Sequence, residues 1–222
     1  MSIINENKIS IIIQARAGSC RFPDKVFKEL DNRTLIKHVF DNCRKTGLPT
    51  TIAIPFGQRD QFSRFIPSEF LYEGDEFDVL GRIYNCAKYL KVDNVVRITA
   101  DCPLLVDGII LECVKIFEFE NLQYLTTTNL LPNTYKNKDG FPDGFDVEVF
   151  TFNKLRDAHS LADNKVDREH VTPWIRRNTK VRIASPGVIN LPLDEKYSID
   201  TEEDYNRVRK IILENKLLWS LE

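Results

Sequence analysis

Ile11-Ile12-Ile13-Gln14-Ala15-Arg16-Ala17-Gly18-Ser19-Cys20-Arg21-Phe22-Pro23-Asp24-Lys25 decides how the rest of the chain is read. Ile9 to Ile13 is a short continuous apolar run, the pattern of a strand buried on both faces. It stops abruptly, and one short loop with Gly18, Ser19 and Pro23 delivers Arg16, Arg21 and Lys25. Arginine offers a planar fork to phosphate oxygens, lysine a mobile point charge. Successive backbone N–H groups in such a turn can form an anion-binding nest. From charge alone two readings stay open: a grip on several phosphates, or an exposed basic loop after a first strand.

Outward from this loop, strand and helix patterns alternate. A helix is predicted over about Thr34–Lys45, with Leu35, Val39 and Phe40 on one face, ended by Gly47 and Pro49 ahead of a strand at Thr50–Ile54. A short strand at Phe70–Tyr72, a helix over Asp78–Lys88 and a buried strand at Asn94–Thr99 follow. Asp107 caps a helix through about Phe117, and Gln123–Thr127 is strand again. This order predicts an α/β protein: one domain, a mainly parallel sheet and helices on both faces. The second half breaks the rhythm with a long polar loop, Asn129–Gly144, of a length usually tied to function. Beyond it come a strand at Asp146–Thr151, a helix at Lys154–Ala162, a helix starting at Thr172–Pro173, strands at Val181–Ala184 and Lys196–Ile199, and a helix from about Glu202 to Asn215.

Composition narrows the function classes. The 222 residues are 42% hydrophobic and 29% charged, ordinary for a protein with a real core. A net charge of −2 argues against bulk electrostatic binding of nucleic acid, so the basic residues that matter act locally. No window of 18 apolar residues predicts a membrane span, and Met1–Lys8 lacks the pattern of a signal peptide. Cys20, Cys43, Cys86, Cys102 and Cys113 are odd in number and form no CxxC pair, which fits a reducing cytoplasm better than a disulfide framework or zinc site.

An open parallel sheet binds ligands outside the carboxyl ends of its strands. The cationic loop leaves one such end, and Asp101 follows the strand Val95–Thr99 at another, kept extended by Pro103. Asp200 follows Tyr197-Ser198-Ile199 in the same way. Two carboxylates beside a triphosphate-sized cationic loop suit a magnesium nucleotide. The plainer readings are a turn before Pro103 for Asp101 and a helix N-cap with Glu203 for Asp200, although Thr201 with Asp204 offers a rival cap. Arg82 lies four residues after Asp78, which allows an ion pair on a solvated helix face. Asp143, Asp146 and Glu148 form an acidic patch, with Asp146 and Glu148 on one strand face that is open to solvent on the plainer reading. Arg168, Glu169 and His170 sit in a polar turn, whereas His38 and His159 read as helix-surface residues. The Asp-x-Glu at 146–148 bears a faint likeness to the metal-binding Asp-x-Asp of nucleotide-sugar glycosyltransferases.

The loop pattern Ala-Arg-x-x-Ser-x-Arg-x-Pro-x-Lys resembles the nucleotide-binding loop of the CMP-Kdo synthetase and acylneuraminate cytidylyltransferase superfamily, and more closely its spore-coat polysaccharide biosynthesis protein F branch. Gly74–Arg82, Arg97–Pro103, Asp143–Phe150, Arg168–Thr172 and Ser198–Asp204 recur in that branch in the same order, so the likeness spans roughly residues 8–212. The resemblance implies a single-domain, Rossmann-like three-layer α/β/α nucleotidyltransferase (GT-A-like) fold over 1–222, with its core at about 8–215. It implies transfer of CMP from CTP to a sugar or sugar-acid, with release of pyrophosphate, for a cell-surface polymer. It places Arg16, Gly18, Ser19, Arg21 and Lys25 on the triphosphate, backbone groups of Gln14 and Ala15 with Arg82 on the nucleobase side, and Asp101 and Asp200 on Mg²⁺. Asp143, Asp146, Glu148, Arg168, Glu169 and His170 would shape the acceptor site. A homodimer follows by analogy, with Trp174, Trp219 or the 145–150 strand as candidate surfaces. The loop departs from the commoner pattern at Phe22, where Leu is usual, and Asp24, where Gly is usual. A glycosyltransferase consuming a nucleotide sugar and a non-catalytic nucleotide-binding protein are the rival readings.

Overall fold

The apolar run after Lys8 becomes β1 (Ile9–Gln14), and its neighbours follow from the same burial logic. A computed structural model describes residues 8–128, 140–184, 192 and 195–214. In chain order the elements are β1, β2 (Glu29–Leu30), β3 (Arg33–Thr34), α1 (Leu35–Lys45), β4 (Thr50–Pro55), α2 (Arg59–Phe62), β5 (Leu71–Gly74), α3 (Val79–Leu90), β6 (Asn94–Thr99), α4 (Asp107–Phe119), β7 (Tyr124–Thr126), β8 (Val147–Thr151), α5 (Phe152–Leu161), α6 (Lys165–His170), α7 (Pro173–Arg177), β9 (Arg182–Ile183) and α8 (Glu202–Leu213). Seven strands form one sheet in the order β5-β4-β1-β6-β8-β7-β9. β5, β4, β1 and β6 run parallel, β8 is antiparallel to both β6 and β7, and β9 is parallel to β7.

Alternating side chains feed two cores. Ile11, Ile13, Ile52, Val96 and Val149 pack on one face against α1, α4 and α8. Ile12, Ala53, Val95 and Phe150 pack on the other against α3, α5 and α7. The chain passes to β4 on one side of β1 and returns to β6 on the other. The carboxyl ends of β1 and β6 therefore flank a topological switch point, where open α/β sheets bind ligands.

Several expectations change. Asp107 is the first helical residue of α4 rather than its cap, which falls on Val106. Lys196–Ile199 makes single extended contacts instead of a strand: Tyr197 N donates to Asp143 O (2.7 Å) and Ile199 N to Asp101 O (2.9 Å). Gly144, at φ 103°, lets that segment close in, since a Cβ there would meet the Ser198 nitrogen at 2.4 Å. Arg168, Glu169 and His170 lie on α6, capped by Asn164, and not in a turn. His38 is buried, its Nε2 bonded to the Leu30 carbonyl, and His159 stacks on Tyr84 at 4.1 Å. β8 is paired on both edges and buried on both faces, so Glu148 has no solvent face and 147–150 offers no dimer surface, while Asp146 precedes the strand and is partly exposed. Trp174 is half-buried against the second core. Trp219, Asn215 and 129–139 of the polar loop lie outside the described residues.

Candidate active site

Three contacts close the site. Lys25 Nζ donates to Asp101 Oδ2 (3.0 Å), Asp200 Oδ1 (3.0 Å) and the Ile199 carbonyl (2.6 Å), joining the first loop to two positions 76 and 175 residues away. Asp24 stands at φ 55° and starts the single 3₁₀ turn Lys25–Phe27 that aims this lysine; the left-handed backbone explains why Gly is the commoner residue there. Phe22 packs on Tyr205 of α8 with ring centroids 5.8 Å apart, which ties the loop to that helix. The rival readings of Asp200 are resolved by geometry. Thr201 and Asp204 form a capping box on α8, which leaves the Asp200 carboxylate to Lys25, Lys196 (2.9 Å) and Arg21 (3.0 Å).

Burial opposes the charge on Lys25, but Asp101 and Asp200 outweigh it and hold its pKa above the usual lysine value. Burial likewise pushes Asp200 up, and Lys196 and Lys25 more than reverse this. Behind them, burial and the neighbouring Asp143 push Asp146 up to about 7, against a bond from the Gly144 N–H. Asp143 is also raised, by burial first.

A cavity of about 330 Å³ opens here. It brings together Gln14, Ala15, Arg16, Ser19, Arg21, Lys25, Arg82, Asp101 and Asp200 with Glu169 and His170 from α6. Gly18, Asp143, Asp146, Glu148 and Arg168 are not among its walls. The Gln14 carbonyl accepts from Ala100 N and the Ala15 N–H donates to Ala53 O, so both of these backbone groups are engaged within the sheet, while Gln14 and Ala15 both line the cavity. Arg16 is exposed and has no carboxylate partner among the described residues.

Arg82 does not pair with Asp78. It is 1% exposed, its Nη1 donates to the carbonyls of Asp75 and Glu76, and its Nε is buried without a partner. Burial first, then Arg16, push its pKa down to about 10. Gly74 makes room for it: a Cβ there would sit 2.8 Å from Arg82 Cγ. Asp78 instead caps α3 and receives both Arg168 Nε (2.9 Å) and Nη2, while Arg168 Nη1 reaches the His159 carbonyl (2.8 Å). Arg168 thus ties α3 to α6 instead of lining the cavity.

Sequence reasoning missed Arg97 and Thr99 in the cavity floor. Arg97 interrupts the apolar run Val95-Val96-Arg97-Ile98, and a charge there needs a buried partner. That partner is Glu148, which also accepts from Tyr124 Oη (2.6 Å) and Thr172 Oγ1 (2.6 Å).

A family model described as cytidylyltransferase matches residues 10–220. The chain belongs to the cytidylyltransferase family. It is 32% identical over 176 residues to an uncharacterised protein of Methanocaldococcus jannaschii, covering 77% of this chain and 68% of that one. It is 25% identical over 219 residues to the spore coat polysaccharide biosynthesis protein SpsF of Bacillus subtilis, covering 92% and 86%. Among solved structures, a cytidylyltransferase from Leptospira borgpetersenii superposes with a TM-score of 0.79 at 24% identity, covering 94% and 88%, and shares the nucleotidyltransferase fold. The chain is a nucleotidyltransferase, and among its described residues no helix is long and apolar enough to cross a membrane.

Proposed function

We propose that this cytidylyltransferase moves CMP from CTP to a sugar or sugar-acid acceptor, with release of pyrophosphate, in the making of a cell-surface polysaccharide or glycoconjugate. The observation that carries the reading is Lys25 Nζ seated between Asp101 and Asp200, with Arg21 on the same carboxylate. Arg16, Arg21 and Lys25 bind the triphosphate and offset charge building on the departing pyrophosphate. Positioning and charge neutralisation supply most of the acceleration in such transfers. Glu169 and His170, on the α6 wall, orient the acceptor.

The carboxylate pair fits Mg²⁺ by its chemistry. Both donors are hard oxygens, and the pair already holds a cation in the Lys25 ammonium. Among the described residues no group of three His, Cys, Asp or Glu is arranged to hold a metal unaided, so phosphate oxygens and water complete the set. Bound there, the ion supplies charge neutralisation and a lower pKa for an attacking oxygen. The reading includes a cytoplasmic homodimer in which residues 1–222 act as one nucleotidyltransferase domain on small molecules and not on nucleic acid.

The test is a pyrophosphate assay with CTP, Mg²⁺ and a panel of sugar and sugar-acid acceptors. Mg²⁺-dependent release with at least one acceptor is expected. Transfer from a nucleotide sugar without pyrophosphate, or binding of CTP without turnover on any acceptor, would contradict it.

A further inference from the structure

Arg97 projects from β6 into the cavity floor, and its donors fix a neighbour. Nε and Nη2 both donate to Gln14 Oε1, at 3.0 and 2.7 Å, and Nη1 donates to Glu148. A guanidinium has no acceptor, so the Gln14 oxygen must face it and the amide NH₂ must face away. That NH₂ has no partner among the described residues, and Gln14 and Arg97 both line the cavity. Thr99 Oγ1, beside them, lies 3.2 Å from Cys102 Sγ.

We propose that Gln14 and Arg97, fixed by Glu148, form a donor-only subsite for a neutral carbonyl-type acceptor on a bound substrate. This rests on the cytidylyltransferase reading and adds a specificity determinant to it. The charge balance favours a neutral group. Glu148 is buried, yet Arg97, Thr172 and Tyr124 hold its carboxyl below the usual range, so the Arg97–Glu148 pair is locally neutral. Phosphate or carboxylate finds uncompensated positive charge at Arg16 instead.

Two sources carry the required chemistry: the O2/N3 edge of cytosine, or a carbonyl of the acceptor sugar. If the source is the base, uracil is disfavoured, because its N3–H would meet the Gln14 NH₂ where cytosine N3 presents an acceptor, and a mismatched polar group in such a site discriminates strongly. Gln14 is then the specificity-determining residue, with Arg97 and Glu148 as positioning residues.

The test titrates full-length protein with CTP and UTP, then measures pyrophosphate release with whichever acceptor supports turnover. It compares wild type with Gln14→Leu, Gln14→Glu and Glu148→Gln. Gln14→Glu retains the Arg97 contact while replacing the free donor by an acceptor, so it keeps the fold and reverses the polarity. With the base as source, CTP affinity falls about tenfold in all three variants, while UTP affinity falls much less in Gln14→Leu and Glu148→Gln and does not fall in Gln14→Glu. With the acceptor as source, nucleotide titrations match wild type while acceptor KM rises about tenfold and kcat holds within about twofold. The subsite is overturned if neither the CTP:UTP ratio nor acceptor KM moves, including where only kcat or thermal stability drops. Wild-type protein that neither binds CTP nor releases pyrophosphate removes the cytidylyltransferase reading and this subsite with it.

Discussion

Two ion clusters sit within one cavity's reach, and they are built oppositely. At the mouth, Asp200 meets three cations, Arg21, Lys25 and Lys196, and the Arg21 side chain is 67% exposed. At the floor, Arg97 and Glu148 are 11% and 9% exposed, and Tyr124 and Thr172 complete the carboxylate's bonds. The mouth shares its cations among carboxylates, Lys25 between Asp101 and Asp200 and Lys196 between Asp200 and Asp204, so a ligand can take one partner without stranding a charge. In the floor pair each charge is matched by the other, so neither is free to exchange, and what the floor offers a ligand is a neutral donor, the Gln14 amide. Charge placed where it can be exchanged serves binding; charge placed where it cannot serves shape.

The largest expected effect breaks the floor. Glu148→Ala leaves Arg97 buried and unpaired and should cost about 3–5 kcal/mol in urea unfolding. A loss below about 1 kcal/mol would mean that this pair is as exchangeable as the mouth. Next, Lys25→Ala should lower turnover on the order of 10²-fold in pyrophosphate release with a far smaller stability change. Near-full turnover would remove Lys25 from the chemistry.

A third test lies between the clusters. The folded pKa of Asp146, about 7, stands above its ordinary 3.8, so between those values the folded chain keeps a proton that the unfolded chain releases. Stability should therefore fall as pH rises from about 4 to about 7 and level off above. Asp146→Asn should flatten the difference between urea midpoints at pH 5 and pH 8, by an amount on the order of 2 kcal/mol. An unchanged slope in the variant would assign the pH dependence elsewhere. The smallest effect sharpens the mouth: Asp24→Gly relieves the left-handed backbone at φ 55° and should stabilise by at most about 0.5 kcal/mol in thermal melts.

Much of this is legible in the sequence. The isoleucine run and the glycine- and proline-bearing loop announce β1 and its cations, whereas Asp101 lies in a turn directly after β6 and not in the extended chain that Pro103 suggests. Thr201 with Asp204 signalled the cap that frees Asp200. The β2–β3 hairpin is not legible there, because two-residue strands carry no periodicity. Its turn residues Asp31 and Asn32, at φ 45° and 62°, are nonetheless the types that tolerate such angles. The Asp78–Arg82 pair that helical spacing allows does not form, because Arg168, ninety residues on, claims that carboxylate, and Arg82 lines the cavity instead. Arg97 and Glu148 pair across neighbouring strands, and sequence alone cannot supply that register.

A crystal structure of the full chain with CTP and Mg²⁺ tests the convergence of the mouth most directly. The triphosphate should lie against Arg16, Arg21 and Lys25, with the cation held between Asp101 and Asp200 and the Lys25 ammonium released from them. Triphosphate bound elsewhere, or Lys25 still locked to both carboxylates with CTP in place, would contradict it.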